Sequence, residues 1–449
     1  VHIMEKQIKW YHLTGTRNRL TWTALILISF VATMGSAIEN SWFNTFVFDS
    51  ITPQPQAVAY MVSGSAITAA LAAVLFGAIS DRYRGRMGRR KIFILIGLPV
   101  AGLFTILFPL GALVKSAELA VAYVVAADCL MMVGFGAAYD GVLSGYITDI
   151  TTVNNRGRVQ GILQIVGGVG TLVTSVIAGI TIDRFGYQAL FTCIGMAMIL
   201  VGICGGLMLQ DQPVARTEAD ENRKSLISEI LENFRWNNIV ANKNLFALLI
   251  AVLIWGSGWY AATPYLLVYA MRYLGFSASQ LGLAQAVPLI AGMLLAIPAG
   301  SLSDKWGRKK TSILLLIIMT ISPVILGLVK PGASLTTLVL ALILLMAPMT
   351  AWYINYKSWA RDLFPEGKKA QFAGLTVVFV ITLPMIIGSN IGSFVISTFG
   401  TPIVVNGEAG FVPTPILLYI TAAITLLSII PILLIKQDRP VKQPQAEIE

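Results

Sequence analysis

Charge is what this chain has least of. Of its 449 residues 12% are Asp, Glu, Lys or Arg and 56% are hydrophobic, whereas a soluble fold of this size needs far more surface charge. Histidine is nearly missing: His2 and His12 both precede the first apolar stretch. That excludes a histidine proton relay within a membrane and leaves carboxylates for any proton chemistry. The three cysteines, Cys129, Cys193 and Cys204, sit in apolar stretches without metal-site or disulfide spacing, so they read as packing residues. No G-x-x-x-x-G-K-[ST] loop, metal-ligand cluster or nucleophile triad occurs at a workable spacing, which argues against an ATP-driven pump and against an enzyme. No cofactor or metal is expected. Val1 to Ile3, ahead of Met4, read as an expression remnant, and no cleavable leader is expected.

What is present is a succession of long apolar runs. A bilayer core about 30 Å thick is crossed by roughly twenty apolar residues in a helix, and twelve such windows are found: 21–48, 56–80, 91–114, 118–147, 158–183, 186–209, 245–273, 278–302, 309–329, 335–361, 370–398 and 414–435. The expected fold is an all-α membrane protein of twelve transmembrane helices in two six-helix bundles. The bundles are 1–209 and 245–449, joined by a charged cytoplasmic linker, 210–244. Cytoplasmic loops carry the excess of Lys and Arg. With the amino terminus inside, 27 of the 32 basic residues fall on the inner side, which predicts a multi-pass protein of the cell membrane with both termini cytoplasmic. The net charge of +10 follows from those loops and gives no reason to invoke nucleic acid.

The densest of the loops, "GAISDRYRGRMGRRK" (77–91), has six Arg or Lys and one Asp in fifteen residues. Orientation alone needs neither so many bases nor an acid among them. Six helices later "GSLSDKWGRKK" aligns Gly300 with Gly77 and Asp304 with Asp81. A second signature recurs after the fourth and tenth helices: Gly161 follows Asp149 by twelve residues and Gly374 follows Asp362 by twelve. Agreement at two places in each half predicts a duplicated six-helix unit, and parallel repeats of this kind suggest a transporter with a midplane site.

These duplicated G-x-x-x-D-[RK]-x-G-R-[RK] loops, in a chain of twelve apolar windows, resemble the major facilitator superfamily over essentially the whole length. In the first loop five residues separate Asp81-Arg82 from Gly88-Arg89-Arg90, a spacing similar to that of glycoside-pentoside-hexuronide and sucrose-type cation-coupled sugar symporters. The superfamily resemblance implies rocker-switch transport by a monomer. It further implies a cytoplasmic latch in which Asp81 with Arg89 meets the start of the eleventh helix and Asp304 with Arg308 meets the start of the fifth. Gly77, Arg82, Gly300, Asp149, Arg156 and Asp362 complete that motif set. A carboxylate at a helix amino terminus, held by arginine, gives such a latch a physical basis. The alternative is that these are only orienting loops, which leaves an Asp in both unexplained.

Ionisable residues inside apolar spans are costly and therefore functional candidates. Glu39 lies in "AIENSWFNTF" with Asn40 and Asn44 close by. Asp128 and Asp140 share the fourth helix, and twelve residues of α-helix set them about 120° apart. Related sugar symporters carry a functional acid one to two turns before the position of Asp140, so the resemblance selects Asp140 first, with Glu39 and Asp128 behind it. Each has a plain alternative: a solvated vestibule for Glu39, and the outer interface for Asp128. Burial favours the neutral carboxyl, which suits a proton as coupling ion, with sodium, ligated by the same oxygens, as the alternative.

A sugar site needs aromatic faces and planar hydrogen-bonding groups. Trp255, Trp259 and Tyr260 of the seventh helix and Trp352, Tyr353 and Asn355 of the tenth are the candidates, with Asn40, Asn44, Gln164 and Gln285 as polar supports. Trp and Tyr also form interfacial belts, but Trp255 and Trp259 fall too near mid-span for one. The glycines of "GILQIVGGVGTLVTSVIAG" allow close helix approach, and the Gly-Pro pair usual there in drug-proton antiporters of the superfamily is not found. The leading reading is a proton-coupled symporter of a sugar or glycoside. The alternatives are a transporter of an organic acid, drug or lipid, and, below both, a non-transporting sensor.

Overall fold

The computed structural model describes residues 16–85, 87–151, 153–211, 242–364, 372 and 375–436. Among them eleven helical stretches are long and apolar enough to cross a membrane. The longest, Asn155–Met208, is broken at Gly186, whose φ of 79° and ψ of 175° are not helical. Divided there, the described residues make twelve crossings, as the apolar windows predicted. We number them α1 (Arg19–Ile51), α2 (Pro55–Arg82), α3 (Lys91–Leu113), α4 (Ala117–Ile150), α5 (155–185), α6 (187–208), α7 (Lys243–Tyr273), α8 (Ala278–Trp306), α9 (Arg308–Gly327), α10 (Leu335–Asp362), α11 (Leu375–Phe399) and α12 (Pro415–Leu434).

The starts and stops have local causes. Pro55 opens α2, where its missing N–H is no loss. Ser334 caps α10 by accepting from Thr337 N–H at 3.2 Å. Gly88 (φ 93°) and Gly307 (φ 92°) turn the chain into α3 and α9 in a region that side chains rarely enter. Their equal angles extend the repeat between halves from sequence to backbone. The lysines that follow are used alike: Lys91 Nζ donates to Leu207 O at the end of α6, and Lys309 Nζ to Leu433 O and Ile435 O at the end of α12. Both satisfy carbonyls that a helix end leaves open.

Several helices are not uniformly α. Wider π turns occupy Glu39–Phe43 and Val47–Ile51 in α1, Gly136–Asp140 in α4, Tyr269–Tyr273 in α7 and Val378–Thr382 in α11. Such turns cluster at functional sites. Between α11 and α12 lies a hairpin the apolar windows did not foresee, β1 (Thr401–Val405) with β2 (Glu408–Val412), antiparallel with Val405 opposite Glu408. Its two-residue turn, Asn406 (φ 53°) and Gly407 (φ 84°), has the positive angles that match strand twist.

The chain packs as two compact units. One comprises Val1–Lys224, Thr263–Ala286 and Gly392–Thr414, and the other Ser225–Ala262, Val287–Ile391 and Pro415–Glu449. The first unit therefore includes one end of α7, α8 and α11, and the hairpin, along with α1 to α6. The expected linker, 210–244, lies almost wholly outside the described residues. Within the first unit α5 meets α1 through its glycines, since a Cβ on Gly170 would come within 2.6 Å of Thr33 Oγ1. Small residues let backbones approach this closely.

Candidate functional site

At the basic end of each unit an arginine joins two acids. In the first unit Arg90 Nη2 lies 2.6 Å from Asp81 Oδ1 and Arg90 Nε 2.7 Å from Asp149 Oδ2, while Arg89 pairs with Asp149 at 2.5 Å. Arg90 Nη1 also donates to Ser80 Oγ at 3.1 Å. In the second unit Arg308 pairs with Asp304 at 3.1 Å and Asp362 at 3.4 Å, and donates to Ser303 Oγ at 2.8 Å. The repeated acids thus come together as pairs within their own units. The arginine bonded to Asp81 is Arg90, whereas Arg89 had been expected, because Arg89 turns to Asp149. Arg156 donates to Thr151 Oγ1 and Thr148 O, Arg82 is exposed, and Gly77 and Gly300 have open space around their Cα atoms. The start of the eleventh apolar window, including Gly374, lies outside the described residues, as does one side of the expected latch.

The carboxyls inside the membrane span gather in the first unit. Glu39 is 7% exposed and Asp128 1% exposed, and both lie within hydrogen-bonding reach of the Ser65 hydroxyl of α2. Asp140 acts on Glu39. The 120° separation expected for Asp128 and Asp140 assumed a uniform α-helix. The π turn at Gly136–Asp140 absorbs one extra residue, worth about 100°, so the two carboxyls return to within about 20° of one face. Asp140 is the exposed member of the group. It lies near enough to Glu39 to act on it, and a carboxylate turned to hydrocarbon would cost at least about 2.5 kcal/mol. Among the described residues no ion pair involves Glu39, Asp128 or Asp140.

The two asparagines are partly committed to their own helix: Asn40 Nδ2 donates to Ser36 O and Asn44 Nδ2 to Asn40 O. Asn44 Oδ1 is buried without a partner. Gln164 is exposed, and half-buried Gln285 reaches only Leu281 O, at 3.4 Å.

In the second unit the expected aromatic residues do come together. The Trp255 ring lies 5.9 Å from Trp352 and 5.6 Å from Tyr353, both edge-on, and Tyr356 is 5.5 Å from Trp352. Half-buried Trp259 packs on the same group, and Tyr260 is also half-buried. Lys357 Nζ stands 5.2 Å over the Tyr353 ring, a cation–π distance. Trp352 Nε1 and Tyr356 OH are buried with no partner. Asn355 has a different place: its Oδ1 accepts from Ser303 Oγ at 2.5 Å, and its Nδ2 donates to Ser312 Oγ at 2.8 Å and Arg308 O at 3.1 Å. Fully bonded and 1% exposed, it ties α8, α9 and α10 together and has no capacity left for a solute.

A further group went unread in the sequence. At the end of the first unit opposite the basic loops, Asp49 of α1 accepts from Arg272 of α7 at 2.5 and 2.9 Å and from Tyr187 OH at 2.8 Å. The hairpin joins it: Asn406 Nδ2 donates to Asp49 O and Phe411 N to Pro53 O. An acid and a base at nearly matching places in the two halves were the available signal. A cavity of about 310 Å³ among α2, α3 and α4 is lined by Phe76, Phe93, Val133 and their neighbours; none of the candidate carboxyls reaches it.

The sequence profile of the Major Facilitator Superfamily matches residues 25–389 and 258–449. The riboflavin transporter RibZ of Clostridioides difficile (strain 630) is 22% identical over 415 residues, covering 82% of this chain and 86% of that protein. Among solved structures, the nucleoside transporter NupG superposes with a TM-score of 0.71 at 13% identity, covering 93% of this chain and 100% of NupG. A bacterial homologue of the human lysosomal transporter Spinster, inward-facing and occupied, gives 0.69 at 14% identity, covering 95% and 98%. A POT family transporter in complex with 5-aminolevulinic acid gives 0.67 at 13% identity, covering 93% and 96%. At these identities the solved structures speak for the fold.

Proposed function

Because the chain belongs to the Major Facilitator Superfamily and is a secondary transporter of the membrane, we propose that it is a proton-coupled symporter of an uncharged, hydroxyl-bearing ring compound, a sugar or glycoside in the first instance. The observation that carries the reading is the gathering of Glu39, Asp128 and Asp140 with no ion pair among the described residues. Carboxyls kept in a membrane span without a basic partner are suited to taking up and releasing a cation. Asp140, the exposed one, is the entry point for the proton from water, and sodium is the alternative ion.

For the substrate, the support is the aromatic group of the second unit. Half-buried Trp259, Tyr260 and Tyr353 offer ring faces over the buried Trp255, Trp352 and Tyr356, and Trp352 Nε1 and Tyr356 OH are donors without partners. A sugar ring presents C–H patches to such faces and hydroxyls to such donors. A second reading, a nucleoside-like or flavin-like solute, uses the same chemistry, since both join a planar ring to a hydroxylated chain or ring. It is favoured by the riboflavin transporter relative. The basic-end networks of Asp81 with Arg90 and Asp304 with Arg308 are assigned to the latch that opens and closes between states. The protein works as a monomer in the cell membrane with its basic loops in the cytoplasm.

The test is uptake into proteoliposomes of labelled mono- and disaccharides, nucleosides and riboflavin, under an imposed pH or sodium gradient, with wild type and Asp140→Asn. Sugar accumulation driven by the pH gradient and lost in Asp140→Asn is expected. Uptake of nucleoside or riboflavin alone selects the second reading, and sodium-driven uptake indifferent to pH replaces the coupling ion.

A further inference from the structure

Glu39, Asp128 and Ser65 bring three helices to one point. Glu39 lies on the π turn of α1, Ser65 is in α2 at 1% exposure, and Asp128 is in α4. Asp128 Oδ1 is fully buried and has no hydrogen-bond partner. Ser65 Oγ lies within hydrogen-bonding reach of both carboxyls, but it has a single proton, and Val62 O at 3.2 Å also claims it. Two ionised carboxylates are acceptors only, and one hydroxyl can donate to one acceptor at a time. As ionised groups, then, the two carboxylates would repel one another and compete for one donor, an arrangement costly in a water-poor interior. One proton resolves it. A neutral carboxyl donates its O–H to Ser65 Oγ, Ser65 continues to donate to Val62 O, and the second carboxyl is relieved of a neighbouring charge.

We propose that Glu39 and Asp128 hold a single proton between them, with the Ser65 hydroxyl as the bridge by which it passes from α1 to α4. The transfer balances: the Glu39 O–H gives its proton to Ser65 Oγ as Ser65 turns its own proton from Val62 O to Asp128. Glu39 ends ionised and Asp128 neutral, and no other reactant is required. The titratable groups that act on the pair are Asp140, through Glu39, and the Cys129 thiol beside Asp128, both from α4. From α2 come hydroxyls, Ser65 and Thr68. Asp140, exposed, then exchanges protons with water, and the buried pair keeps the proton. This inference rests on the secondary-transporter reading, but it concerns proton occupancy, which can be read without any substrate.

The test is infrared difference spectroscopy of the purified protein in detergent, titrated with pH, following the carbonyl absorption of protonated carboxyl groups. Wild type is expected to show one such group near neutral pH. That absorption should disappear in Glu39→Gln and equally in Asp128→Asn, because the new amide N–H donates in place of the carboxyl O–H and leaves the remaining acid ionised. Ser65→Ala should keep the absorption but move its frequency, and Ser65→Thr should return it. Persistence at full intensity in either single variant assigns the proton to one acid alone and overturns the sharing. A signal absent from wild type and replaced by sodium-dependent changes makes the site a metal-cation site and overturns the proposal. If the infrared result is as expected and no solute in the uptake panel moves, the substrate reading fails while the proton site stands.

Discussion

Arg90 and Arg89 are adjacent in sequence and unequal in consequence. Arg90, 7% exposed at its side chain, reaches Asp81, Asp149 and Ser80, while Arg89, 22% exposed, reaches Asp149 alone. Removing Arg90 leaves two acids and a buried hydroxyl without a shared partner, whereas Asp149 keeps Arg90 when Arg89 is removed. Charge-assisted hydrogen bonds contribute about 1.5–3 kcal/mol each, less where the partners are partly exposed. Arg90→Ala should therefore lower stability by about 2 kcal/mol or more, and Arg89→Ala by under about 1 kcal/mol. Thermal melting of the two purified variants checks the order, and equal losses would remove the distinction. The acids of this network were legible as a repeat, Asp81 with Asp304 and Asp149 with Asp362. The choice of arginine was not, since Gly88-Arg89-Arg90 offers two, and neither were Ser80 and Ser303, whose type is common on any helix. Asn355 shows the opposite failure: its residue type suits a polar ligand, and only the three-dimensional contacts reveal that α8, α9 and α10 already occupy it.

At the scale of the element, the crossings could be read from hydropathy because twenty apolar residues have few other places to go. Their internal geometry could not. A π turn uses the same residues as an α turn, and "GFGAAYDG" carries no composition that announces one. Yet the π turn at Gly136–Asp140 brings Asp140 back to the side of Asp128. Deleting Ala138, fully buried and small, should restore α geometry and keep Asp140 within about 20° of Asp128, because eleven residues of α-helix return to the same phase, whereas inserting one alanine after Ala138 should turn Asp140 away by about 100° if the added residue is taken up as α-helix. The expected outcome is a protein that is inserted and monodisperse in both forms, that retains most gradient-driven uptake with the deletion and loses it with the insertion. Uptake unchanged by the insertion would show that the phase of α4 is irrelevant to coupling. The hairpin is the converse case, because Asn406-Gly407 after the β-branched stretch "TPIVV" is a recognised turn signal, and at five residues each its strands are too short to show as an apolar window.

For the molecule as a whole, the two-fold repeat was the strongest statement in the sequence, and its departures are as informative as its agreements. Val47–Ile51 and Tyr269–Tyr273 are both π turns near the same end of α1 and α7, but one carries Asp49 and the other Arg272, so the repeat itself generates complementary charges. With Tyr187 and the hairpin, they fasten together the end of the first unit that lies opposite the basic loops. A transporter must release such a fastening in each cycle, so its strength should set how often that end opens. Asp49→Asn removes the charge and keeps the shape. It should speed amide exchange in 47–51, 269–276 and 401–412 by about tenfold, the factor that corresponds to losing 1.4 kcal/mol. Exchange around Arg90 and Asp149, at the other end of the same unit, should stay unchanged. Exchanging the charges, Asp49→Arg with Arg272→Asp, restores the ion pair but not the Tyr187 hydrogen bond, because a guanidinium cannot accept it. Protection should therefore return in part, and Tyr187→Phe in the wild-type background should produce a loss of the size that the exchange fails to recover. Uniform exchange across all of these variants would mean that the fastening is held by helix packing alone and that the pair only accompanies it.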